Sequence, residues 1–150
     1  MTTVCLVGDP TVTLAYELLS RETAREALST YEIEEPFENA LAVETVSLGA
    51  AVSLCNDLKW YRDRFVAESL VRDPSIDADE WLSADLAGLV RDGDVPPEET
   101  DRRLKIFGVR DGELVDPEYV LREQGTVPER DRDDLEGTVV VRVTEAEFST

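Results

Sequence analysis

Thr3 to Val7 is a short apolar run that breaks at Gly8, Asp9 and Pro10, the pattern of a strand leaving into a turn. From Leu14 to Tyr31 apolar residues recur at helical spacing, with Leu14, Leu18, Ala24 and Leu28 on one side, until the acidic stretch EIEEPFEN ends the helix. Ala40 to Val46 reads as a second strand. Two strands separated by a helical crossover predict parallel pairing, a βαβ start. From Ser47 the pattern is helical as far as Val71, with Pro74 marking the exit. Asp77 followed three residues later by Glu80 has capping-box character and predicts a helix reaching Val90 and ending near Gly93. Pro96 and Pro97 suit the first turn of another, running from Glu98 to Lys105. Asp111 and Gly112 lie between apolar flanks and predict a hairpin, with PEYVLRE extending its second arm. After the polar loop QGTVPERDRDDLEG, the β-branched TVVVRVTEAEF reads as a strand buried on both faces and a neighbour for the first one.

These elements predict a single α+β (or α/β) domain over residues 1–150. Its small mixed sheet has a βαβ start, followed by three central helices, a hairpin and a C-terminal strand. No run approaches 18 consecutive apolar residues, and MTTVCLVGDP has neither a cationic start nor a cleavage site, so a cytoplasmic chain without a membrane span is expected.

Charge changes the picture most. The chain carries 34 Asp plus Glu against 15 Lys plus Arg, a net −19, with acidic residues spread from Asp9 to Glu147. Such a surface repels itself and nucleic acid, and molar salt removes most of that penalty by shrinking the Debye length to roughly 3 Å. All the basic residues except Lys59 and Lys105 are arginine, whose weakly hydrated fork is shared readily with carboxylates. Many acids with few lysines resemble the proteins of halophilic archaea, and the chain resembles their small uncharacterised acidic families. That resemblance implies a cytoplasmic, salt-requiring protein and assigns no activity.

The chemistry open to the chain is bounded by what it lacks. It contains no histidine, which excludes Ser-His-Asp and Cys-His mechanisms, and Cys5 and Cys55 lie fifty residues apart in apolar surroundings, as reduced core residues do. No spacing indicates zinc, calcium or an organic cofactor. A phosphate cradle in VCLVGDPTV would use Gly8, Asp9, Thr11 and Thr13, yet the turn supplies one glycine and no lysine, Pro10 has no N–H, and Asp9 is negative. A strand-to-helix turn capped by Asp9, Thr11 or Thr13 is the better reading. The segment VGDPTVTLAYEL also resembles, over about fifteen residues and with a one-residue gap, the amino-terminal strand and turn of a small central-stalk component of the rotary ATPases. The later helices depart from that family's alternating pattern.

The sharper candidate is KWYRDRF. Lys59, Trp60, Arg62 and Arg64 make a basic and aromatic island in an acidic chain, suited to a protein partner with an acidic surface, an anionic ligand or single-stranded nucleic acid. Opposed to this stand a Lys59–Asp63 pair at i,i+4 and snorkelling arginine stems. A third reading makes PPEETDRRLK the recognition helix of a winged-helix DNA-binding regulator, with Arg102, Arg103 and Lys105 on phosphates. Glu98, Glu99 and Asp101 oppose it. Together these features favour a non-catalytic interaction or regulatory module with no cofactor.

Overall fold

The computed structural model describes residues 1–127 and 135–149; part of the polar loop expected over 124–137 lies outside the described residues. The protein is α+β, built on one mixed sheet of seven strands. In chain order these are β1 (Thr2–Gly8), β2 (Ala40–Thr45), β3 (Val66–Arg72), β4 (Trp81–Ser83), β5 (Arg103–Arg110), β6 (Glu113–Leu121) and β7 (Gly137–Arg142). The helices are α1 (Leu14–Leu19), α2 (Glu22–Leu28), α3 (Leu48–Asp57), α4 (Lys59–Phe65), α5 (Ala84–Arg91) and α6 (Glu145–Ser149), with a 3-10 turn at Pro97–Glu99. Spatial order is β2-β1-β3-β4-β7-β5-β6.

The start is β-α-α-β, and β1 and β2 pair antiparallel rather than parallel. A parallel crossover must carry the chain back along a strand of about 23 Å, whereas α1 and α2 rise only roughly 9 and 10 Å. The expected single helix is broken at Arg21, whose backbone is extended, and Ser20 turns its hydroxyl back onto the Tyr16 carbonyl. The helix expected from Ser47 to Val71 is likewise divided. Leu58 ends α3 and begins α4, and from Val66 the chain is strand. Val66 and Leu70 are four apart, a spacing that satisfies both a helical and a two-residue period. Pairing with β1 on one side and β4 on the other decides for strand, with Leu70 and Val71 buried on opposite faces.

Asp77 accepts from the amides of Asp79 at 2.9 Å and Glu80 at 2.6 Å, half of the expected capping box, but the Glu80 carboxylate turns to Arg122 and Arg142 and the chain extends into β4. Ser83 is the true N-cap of α5, accepting from Leu86 N. The helix expected over Glu98 to Lys105 is only the 3-10 turn, because Leu104 and Ile106 alternate with Lys105 in β5. This removes the winged-helix recognition helix: Arg103 and Lys105 are strand residues, and Arg102 precedes the strand. The hairpin is as expected, with Asp111 and Gly112 both at positive φ between paired Arg110 and Glu113. The last strand pairs with β4 and β5, not β1, and stops at Arg142. A reciprocal capping box stops it: Thr144 Oγ1 accepts from Glu147 N, and Glu147 Oε1 accepts from Thr144 N.

One face of the sheet, with Val4, Leu6, Val43, Val71 and Leu82, packs under α1 to α5. The opposite face gathers Cys5, Ala42, Leu70, Trp81, Phe107 and Val141 into a second core. The sheet curls around this core, since Glu38 N, just before β2, donates to Gly112 O at the β5–β6 turn at 2.9 Å. Phe148 of α6 meets Tyr119 edge to face at 6.0 Å on the same side. Lys105 and Glu68 pair across this face at 2.5 Å. Burial disfavours the lysine's charge, but Glu68 outweighs it and holds the Lys105 pKa above its ordinary value.

Within the sheet, two antiparallel halves, β2-β1-β3-β4 and β7-β5-β6, are joined by the short parallel ladder Trp81↔Val141 and Leu82↔Arg142. A polar cluster lies beside that joint. Glu80 accepts from Arg142 Nε at 2.7 Å and through both oxygens from Arg122 Nη2, while Arg142 also donates to Thr100 Oγ1 at 3.0 Å and Asp77 Oδ1 at 3.5 Å. Partial burial pushes the Asp77 carboxyl up, but the Glu80 and Asp79 amides and the charges of Arg142 and Arg122 hold it below the usual aspartate range. Its folded pKa therefore lies below the unfolded one. Its stabilisation is complete above the unfolded value of about 3.9 and disappears as pH falls through the folded value. Asp77→Asn should cost ~1 kcal/mol at neutral pH in urea unfolding. The difference from wild type should vanish at the acid end.

Candidate functional site

The turn after β1 is organised by Asn39, which sits at a φ of 56° just before β2. Its Oδ1 accepts from Leu14 N at 2.8 Å, and its Nδ2 donates to Val12 O at 2.9 Å and Asp9 O at 3.2 Å. Gly8 N donates to Asn39 O, Asp9 N to Phe65 O and Val12 N to Asp9 O. Asp9 Oδ1 takes the Thr11 amide and hydroxyl, and these bonds hold the Asp9 carboxyl below its ordinary range. The amides of Gly8, Asp9, Thr11, Val12 and Leu14 are therefore already engaged. Gly8 serves close packing instead: a Cβ there would lie 2.6 Å from Asn39 Nδ2 and 2.9 Å from Leu14 Cβ. Gly8, Pro10, Val12 and Thr13 line a cleft of about 680 Å³ to which Glu35, Glu38, Glu68 and Glu113 also contribute, a field hostile to anions.

The Lys59–Phe65 segment is divided between two surfaces. Trp60 is 49% exposed, and the Arg64 guanidinium stacks over it 3.8 Å from the ring centroid while donating to the Trp60 carbonyl. Phe65 meets Trp60 edge to face, and Arg21 lies 4.7 Å over the Phe65 ring, extending the patch to α2. Lys59 is paired with Asp63 at 3.0 Å, an exposed ion pair of small energetic weight. Arg62 belongs elsewhere. Its Nε donates to Ser69 Oγ at 2.9 Å and its Nη1 to Cys55 O at 3.1 Å, on the wall of a groove of about 1010 Å³ between α3 and α5.

Both cysteines are free and buried. Burial raises the Cys5 thiol to about 12 against a smaller opposing effect of Arg72, and raises Cys55 against Arg62. Neither is poised as a nucleophile. Among the described residues no cluster of three or more acidic or cysteine side chains could hold a metal ion.

The model of a family of unknown function, DUF5804, matches residues 2–109, from β1 through nearly all of β5. The chain belongs to DUF5804. The matched part contains the Asn39 turn, all of α4 and the α3 and α5 walls of the groove, whereas β6, β7 and α6 fall outside it. Neither the curated proteins nor the solved structures yield a match.

Sequence reasoning missed Asn39, Arg122 and Arg142, and read Glu80 only as a capping residue. Only Asn39 left a local signal, an asparagine able to adopt positive φ at a strand start. Asn39→Gly should cost about 1–3 kcal/mol through its lost hydrogen bonds. Asn39→Ala should cost roughly 1 kcal/mol more, because alanine must also bear the left-handed backbone. Equal losses in urea unfolding would show that the backbone conformation is unimportant.

Proposed function

We propose that this DUF5804 chain is a non-catalytic, cytoplasmic interaction module of a salt-rich cell interior, and that it docks a protein partner through Trp60 and Arg64. The observation that carries the reading is the half-exposed indole with a guanidinium already stacked on it. Tryptophan and arginine dominate binding hot spots, and a pair ordered before binding loses little side-chain entropy on association. The patch is basic and aromatic on a chain of net charge −19, so its complement is an acidic partner surface with an apolar centre. The acid-rich, lysine-poor composition supports the salt-rich setting.

Capture experiments in about 2 M KCl, where nonspecific charge effects are screened, test this reading. Full-length protein should retain a stoichiometric protein partner from its source cells. Replacing both Trp60 and Arg64 with Ala should weaken that complex about 30-fold or more while the melting temperature stays near wild type. A folded double variant that binds the same partner equally well would overturn the assignment.

A further inference from the structure

Arg62 is anomalous in a chain where acids outnumber bases 34 to 15. Lys105, Arg122 and Arg142 each hold a carboxylate, and Arg72, which forms no ion pair among the described residues, lies over the Trp81 ring instead. Arg62 is half-buried, and among the described residues it forms no ion pair. Ser69 and the Cys55 carbonyl fix its Nε and Nη1, leaving Nη2 without a hydrogen bond among the described residues. A guanidinium offers five donors in a rigid fork, and a partly desolvated one without a counter-charge is stabilised by any anion that reaches it. Its positive field is felt locally, since it draws the Cys55 thiol down against burial.

The rest of the groove defines what that anion is attached to. Val52, Leu89 and Val95 supply apolar wall; of the rim arginines, Arg91 pairs with Asp92 and Arg103 with Glu145, and Arg102 is outnumbered by Asp85, Glu98, Glu99 and Asp101, whose carboxylates make no ion pair among the described residues. These acids would repel a multiply charged phosphate and favour a cation. A volume of about 1010 Å³ exceeds a single amino acid's needs and matches the upper range of small-ligand pockets. We propose that the groove between α3 and α5 binds a short peptide ending in a free carboxylate and carrying a basic side chain, with Arg62 holding the carboxylate and the acidic rim receiving the cation. The site is independent of the Trp60 surface.

The probe is the dipeptide Leu-Lys, titrated into the full chain with amide resonances followed by NMR, beside the same dipeptide with an amidated C-terminus. The free acid should shift resonances of α3 and α5 around Val52–Asn56 and Ala84–Leu89. The amide should bind at least about tenfold more weakly. Arg62→Gln should abolish the difference between the two ligands, and because the ligand pair is compared on one protein, a destabilised variant does not decide the outcome. Equal binding of acid and amide to wild type, shifts confined to another surface, or no shifts up to about 10 mM would each overturn the proposal.

Discussion

Two residue pairs of parallel ladder are a thin seam for a seven-stranded sheet, and the carboxylate of Glu80 lies beside that seam between two arginines. Arg142 comes from β7 and Arg122 follows β6, whereas Glu80 immediately precedes β4, so one side chain ties elements from both halves of the sheet. A buried ion pair is costly to desolvate and gains little over apolar packing. Removing one member is different: it strands a buried charge and costs about 3–5 kcal/mol. The cluster thus acts chiefly to specify how the halves meet. The curl of the sheet, its second core and the docking of α6 across that core all depend on the halves meeting this way.

The same geometry separates two surfaces along one short helix. β3 begins where α4 ends, and its insertion between β1 and β4 fixes the direction from which α4 enters. Tyr61 is buried, Trp60 and Arg64 face outward with the half-buried Phe65 and Arg21 beside them, and Arg62 is fastened to Ser69 of β3 and to the end of α3. Seven residues that look like one basic island in the sequence therefore serve two places. The Asn39 turn is tied to Phe65, the last residue of α4, through Asp9 N, making it a structural junction.

Local signals were legible where one residue type suffices. Asp111-Gly112 specifies its hairpin, Gly8 ends its strand, and the acidic composition reads directly from the chain. The Lys59–Asp63 pair followed from spacing alone. Strand β3 was not legible, because Val66 and Leu70 fit two periods and only pairing with distant β1 resolves them. The direction of β2 was hidden for a related reason: a break at Ser20 and Arg21, which no glycine or proline announces, halves the expected crossover helix. The Glu80 cluster joins residues up to 65 positions apart, beyond any local pattern. Arg62 was visible as a charge, and its separation from Trp60 follows from about 200° of helix over two residues, but its fastening to Ser69 depends on where β3 runs.

Native-state hydrogen exchange on wild type and Glu80→Gln addresses the seam directly, because partial opening reports where cooperative units divide. If Glu80 holds the halves together, amides of β5 and β7 such as Phe107 and Val141 should exchange markedly faster in the variant. Those of Cys5 in β1 and Leu70 in β3 should keep most of their protection. Uniform acceleration through both halves, or no change in either, would contradict the account.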